Sequence, residues 1–149
     1  MPPNKALTRK PASSPPVRLF TLERANRALV YVRPIVADIV ARYHELVELR
    51  SQVHALADEP ANETRRDDLS VRVDHCVDTL DRLHRELSAV GCFLKDWRFG
   101  LVDFPAEREG RQVWLCWRLG EPRVGHWHEK NDGLAGRKPA EPEDPAWAA

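Results

Sequence analysis

From residue 22 to residue 53 the apolar positions advance in alternating steps of three and four: Leu22, Ala25, Leu29, Val32, Val36, Ile39, Tyr43, Leu46, Arg50 and Val53. Such spacing keeps returning to one stripe of a helix. It is the a/d seam of a coiled-coil-like heptad, with Arg50 as its one charged member. Thr21 is placed to cap the start through its hydroxyl, and Glu23 suits the positive end of the helix dipole. A second run, Leu69, Val73, Cys76, Leu80, Leu83, Leu87 and Val90, follows the same rule. Gly91 then stands where a left-handed C-terminal cap favours a residue without Cβ. On the outer face Asp78 with Arg82 and Asp81 with Arg85 have the i,i+4 spacing of helical ion pairs. Between the runs, Asp58-Glu59-Pro60-Ala61-Asn62 breaks the helix, and so short a link makes the two neighbours antiparallel. Pro34 lies inside the first run, where it removes a backbone donor, so a kink is expected near it. The pattern thus predicts helices over about 22–57 and 63–90.

Beyond Gly100 the period changes to two. Strands are expected at Leu101–Phe104, Arg111–Leu119 and Val124–Glu129, with turns at Pro105–Gly110 and Gly120–Arg123. If Phe104 faces Arg111 and Leu119 faces Val124, one face carries Val102, Phe104, Val113, Leu115, Trp117, Leu119, Val124, His126 and His128. The other carries Leu101, Asp103, Trp114, Cys116, Arg118, Trp127 and Glu129. The more apolar face should meet the helices, and a slip of one residue would invert the assignment. The expected fold is α+β: a long antiparallel helical hairpin, its first helix kinked near Pro34, packed on a small antiparallel β-sheet over about 92–130. Residues 18–139 form the domain. Residues 1–17 hold five prolines with Lys5, Arg9 and Lys10 and no acid, the composition of a disordered basic arm. Residues 140–149 read as a loose tail in spite of Trp147.

Composition narrows the partners. The 149 residues carry 23 basic and 23 acidic side chains, so the formal net charge is zero and no basic stripe accompanies the tryptophans. Charge therefore argues against nucleic acid as a partner, and the indoles read as core or interface anchors. No apolar run can span a bilayer, and residues 1–17 lack the apolar core of a signal peptide. Three cysteines, Cys76, Cys92 and Cys116, form no close pair, which points to a reduced cytoplasmic setting rather than a disulfide framework.

Candidate chemistry centres on His126-Trp127-His128-Glu129. Two histidines at i and i+2 of a strand project to one face and can share a divalent metal such as zinc, iron or manganese. Glu129 points the other way unless the strand ends at His128, which makes Asp132 in the following loop the better carboxylate; Cys116 points away in this register. The competing reading is a pair of hydrogen-bonded histidines at a sheet–helix interface. Gly133 and Gly136, with the guanidinium of Arg137, are the candidates for an anion-binding loop. No phosphate-binding loop or nucleophile elbow is present.

Several segments resemble a bacterial family, domain of unknown function 2203. They are Thr21-Leu22-Glu23-x-Ala25-Asn26, Arg33-Pro34, Leu94-Lys95-Asp96 and Gly100-Leu101-Val102-Asp103-Phe104-Pro105. To these are added Leu115-Cys116-Trp117-Arg118-Leu119-Gly120-Glu121-Pro122, His126-Trp127-His128-Glu129 and Gly133-x-Ala135-Gly136-Arg137-x-Pro139. The resemblance spans about 20–139 and implies membership without an activity. Leu134 departs from the aromatic residue expected in the last loop. Two functions are compatible with these features. One is a non-enzymatic helical-hairpin module that self-associates, as a homodimer or larger assembly, or binds another protein. The other is a metal-binding protein or metal-dependent enzyme using His126 and His128 with Asp132 or Glu129.

Overall fold

The computed structural model describes residues 18–147; the arm expected over 1–17 lies outside the described residues. Helix α1 spans Leu22–Ala55 and helix α2 spans Glu63–Val90, joined through a 3-10 turn at Pro60–Asn62. The start of α1 is capped as expected, with the Arg24 N–H donating to Thr21 Oγ1 at 3.1 Å. Pro34 sits within the continuous span of α1, where it lacks the N–H that would bond back to the carbonyl one turn earlier. Gly91 ends α2 at φ +102°.

The two seams face each other and the sheet. Ala25, Val32, Val36 and Ile39 of α1, and Leu69, Leu80, Leu83 and Leu87 of α2, are all buried in one continuous core. Leu49 is buried and Arg50 exposed, so the first seam moves off the charged position near the hairpin tip. The buried stripe there makes two successive steps of three, Tyr43 to Leu46 to Leu49, in place of the expected step of four to Arg50. On the outer face Arg85 pairs with Asp81 at 2.8 Å, whereas Arg82 turns to Glu86 at 3.1 Å rather than to Asp78.

The sheet is an antiparallel meander of β1 (Phe93–Asp96), β2 (Leu101–Arg108), β3 (Arg111–Arg118), β4 (His126–Glu129) and β5 (Lys138–Pro139), hydrogen-bonded in that order. Strand β2 runs past Pro105, where a turn was expected. The Pro105 carbonyl accepts from the Phe20 N–H at 2.7 Å, on the side away from β3. The missing N–H of Pro105 faces that same side and costs the β2–β3 ladder nothing. The turn is instead Glu109-Gly110, both at positive φ (51° and 79°), as in a two-residue hairpin loop. Phe104 therefore faces Leu115 rather than Arg111. This shift is even, so the apolar face survives: Val102, Phe104, Ala106, Val113, Leu115 and Trp117 are fully buried with the helices.

The β3–β4 register differs by one. Cys116 faces His126, Leu115 faces Trp127 and Trp114 faces His128. Every β4 side chain is thereby exchanged between faces relative to the expected pairing. Trp127 joins the core, and His126 and His128 turn to the face opposite the helices, the side of Cys116. The cause lies in the connection. Instead of a tight turn at Gly120–Arg123, a long loop from Leu119 to Gly125 is tied to α1. Arg33 donates to the carbonyls of Glu121 and Pro122, and Asn26 bonds both backbone groups of Val124.

Residues 140–147 do not form a loose tail. Ala140 and Trp147 are buried, and Trp147 meets Trp127 with ring centroids 5.8 Å apart. The Arg108 guanidinium lies 4.9 and 4.7 Å from those two rings and pairs with Asp144 at 2.8 Å. Among the described residues no helix is long and apolar enough to cross a membrane.

Candidate metal centre

Three adjacent strands each contribute one side chain to the face away from the helices. Asp103 of β2 lies directly opposite Cys116 of β3, and His128 of β4 faces Trp114, one diagonal step from Cys116. One potential ligand atom from each of Asp103, Cys116 and His128 lies within 4.8 Å of the others. All three are buried: His128 is 5% exposed, Asp103 3% and Cys116 1%.

The hydrogen bonds of His128 define the chemistry. Nδ1 lies 2.9 Å from the carbonyl oxygen of Glu129, which can only accept, so Nδ1 carries a hydrogen and donates it. That bond fixes the ring with Nε2 aimed at Asp103 Oδ1, 3.0 Å away. Nε2 and a carboxylate oxygen are both acceptors unless a proton, or a cation in its place, stands between them. A remote N–H donated to a backbone carbonyl is the support that metal-bound imidazoles use, and the Nε2–Asp103 contact is equally that of an imidazolium–carboxylate pair.

The same geometry argues against a Cys–His–Asp nucleophilic relay. Such a relay needs one ring nitrogen on the thiol and the other on the carboxylate, and here the second is spent on the Glu129 carbonyl. Nor is the thiol activated. Burial, followed by the neighbouring Asp103 charge, pushes Cys116 up to about 12, the reverse of the lowered value a cysteine nucleophile requires. Cys76 and Cys92 are buried free thiols as well. Of the three, Cys116 alone lines the cavity above this cluster, a space of about 290 Å³.

The residues singled out by sequence occupy distinct places. His128 is in the cluster. His126 shares its face but stands outside the group; its side chain is partly exposed, with Nδ1 3.5 Å from Glu121 Oε2. Glu129 is engaged by Arg111, whose Nε and Nη2 donate at 3.1 and 2.5 Å. Asp132 lines the cavity without belonging to the group. Arg137 donates to Glu121 Oε1 at 2.6 Å, so its guanidinium is committed to a carboxylate. Glu121 also accepts from the Arg118 N–H at 2.7 Å. Against burial, which would raise it, the Arg137 guanidinium and the Arg118 N–H hold the Glu121 carboxyl below its usual range. Gly136 has a packing reason to lack a side chain, since a Cβ there would lie 2.7 Å from the Asp132 Cβ, whereas Gly133 has open space around it.

Asp103 and Cys116 were not among the expected ligands. Their signal was present: Asp103 is the one acid in the expected strand Leu101–Phe104, and the expected faces already placed it with Cys116. The inverted β4 register kept His128 away from both.

A two-helix hairpin on a five-stranded meander, with a buried Asp–Cys–His group on the outer face, defines an α+β domain. Over residues 18–140 the chain matches the family described as uncharacterized conserved protein (DUF2203), and it belongs to that family. No curated protein and no solved structure matches it.

Proposed function

We propose that this protein binds a transition-metal ion through Asp103 Oδ, Cys116 Sγ and His128 Nε2. The observation that carries the reading is the pair of bonds at His128: one nitrogen donates to the Glu129 carbonyl and the other faces the Asp103 carboxylate beside a buried thiol. A set of one sulfur, one nitrogen and one oxygen suits zinc or iron better than manganese, which prefers oxygen ligands throughout. Three protein ligands beneath an open cavity also leave a coordination position for water or a ligand, as in catalytic rather than purely structural zinc sites. A bound ion there would supply Lewis acidity and lower the proton affinity of a coordinated water. Asp132 and His126 then belong to the surroundings of the centre.

Protein purified without a histidine tag, or reconstituted with zinc or iron(II), should contain about one equivalent of metal by elemental analysis. His128→Ala and Cys116→Ser should lose it while retaining the far-ultraviolet circular dichroism of the parent. Failure of the reconstituted parent to hold any metal overturns the reading.

The helical hairpin as an interaction or oligomerisation module is the second reading. It is supported by Leu19, Val30 and Tyr31, large apolar side chains exposed at 40%, 73% and 70% near the start of α1. It has less to rest on than the metal centre, because the heptad seams are already covered by each other and by the sheet. A dimeric mass in light scattering at micromolar concentration, reduced to monomer by Tyr31→Glu, would favour it. The three free cysteines agree with a reducing cytoplasmic location.

A further inference from the structure

We infer that the open position of this centre takes a small carboxylate carrying an apolar body. The inference rests on the metal reading and names the ligand class of that same site.

The floor of the cavity is the Asp103–Cys116–His128 group, and its walls include Leu101, Trp114 and Leu134, with Lys95, Lys130 and Asp132 around them. Charge selects an anion. A dication held by one thiolate and one carboxylate is neutral, so the two lysines outweigh Asp132 and leave the cavity one positive charge in excess. A monoanion brings it to balance; a dianion overshoots and a cation is repelled. Neither lysine forms an ion pair with a carboxylate among the described residues, so both ammonium groups can turn to a ligand.

Shape and polarity select the rest of the molecule. Lys95 Nζ stands 5.2 Å from the centroid of the Trp114 ring, which places an ammonium beside an aromatic wall. Leu101, Trp114 and Leu134 supply the apolar part of the lining, to which Asn131 adds one neutral amide. A volume of about 290 Å³ lies at the small end of ligand cavities and fits a single ring or short branched chain rather than a peptide or nucleotide. The carboxylate would meet the metal and the lysines, and the apolar body would lie along Trp114.

Cobalt(II)-substituted protein provides the test, because its visible spectrum reports both the thiolate ligand and the coordination number. Benzoate, acetate and inorganic phosphate are the probes. Benzoate should change the spectrum saturably and bind about tenfold or more tightly than acetate, since the ring adds apolar contact with the walls. The Lys95→Ala, Lys130→Ala double variant should keep cobalt and weaken benzoate at least about fivefold. If cobalt is not taken up, the metal reading falls and this inference with it. If cobalt is bound but benzoate leaves the spectrum unchanged, or phosphate binds more tightly than benzoate, the inference alone is overturned.

Discussion

Asn26 on α1 holds Val124 by both of its backbone groups: the side-chain amide donates to the Val124 carbonyl at 3.1 Å and accepts from the Val124 N–H at 2.8 Å. The same amide nitrogen donates to the Leu22 carbonyl at 3.0 Å, so the clamp is anchored within its own helix. Val124 is fully buried and lies just ahead of β4. The position of β4, and with it His128, is therefore set from the helical layer rather than by a tight turn.

Removing this clamp should be costly. Asn26→Ala leaves both backbone groups of the buried Val124 without partners, and a loss of about 1–3 kcal/mol is expected. Asn26→Asp keeps the acceptor for the Val124 N–H and loses the donor, so it should fall between the parent and the alanine variant. Urea unfolding followed by far-ultraviolet circular dichroism measures both. Stability within about 0.5 kcal/mol of the parent for Asn26→Ala would show that the clamp does not hold the loop.

The helical seam was legible from spacing alone because two long helices repeat one rule many times, and each repeat corrects errors in the others. Leu69, Leu80, Leu83 and Leu87 fell where the pattern put them. The β2 and β3 faces were also legible, since an alternating strand keeps its faces under an even shift of register. The β3–β4 pairing was not. It depends on Asn26 and Arg33, some ninety residues away in the chain, and no local turn signal encodes a contact of that kind. The Asp103–Cys116–His128 group was hidden for the same reason: Asp103 and Cys116 are visible as neighbours, but His128 joins them only once the register is known. The ordering of Trp147 was missed because a short Pro/Glu/Asp-rich segment reads as solvated until Trp127 and Arg108 are seen beneath it.

Buried and exposed positions on α2 should respond very differently to truncation. Leu83 is 5% exposed in the seam, and Leu83→Ala should cost about 2–5 kcal/mol through lost burial and the cavity left behind. Val71, 67% exposed on the same helix, should change stability by no more than about 0.5 kcal/mol when replaced by alanine. Thermal or chemical unfolding of the two variants gives the contrast, and equal effects would contradict the packing described.

Gly100, in the turn between β1 and β2, packs tightly against α1. Its φ is +72°, and a Cβ there would lie 2.7 Å from Val36 Cγ1 and 2.9 Å from Leu119 Cβ. Gly100→Ala combines an unfavourable backbone conformation with overpacking and should destabilise by about 1–3 kcal/mol. Val36→Ala, introduced together with it, should recover part of that loss relative to the sum of the single changes. A double-mutant cycle measures the coupling, and strict additivity would place the strain elsewhere.

The C-terminal segment should loosen on acidification. The Ala146 N–H and the Arg108 guanidinium hold the Asp144 carboxyl below its usual range. A carboxyl lowered in the folded state stabilises above its unfolded value, near 4, and that contribution disappears as pH falls through the folded value. Amide exchange across 140–147 should accelerate below about pH 4 ahead of exchange in α2. Asp144→Ala should show faster exchange in this segment already at neutral pH; unchanged protection in that variant would remove Asp144 from the account.

Asp103 and His128 are 25 residues apart in the chain, and Cys116 lies between them on the central strand of the three. An ion gripping all three would act as a cross-link over two successive hairpin connections, and no comparable site exists in an unfolded chain where these residues wander independently. Ligation and folding are then one equilibrium: free metal at a hundred times its dissociation constant adds about 2.7 kcal/mol to the stability of the whole domain. A chelator would do more than empty a pocket. It would lower the melting temperature of helices that never touch the ion.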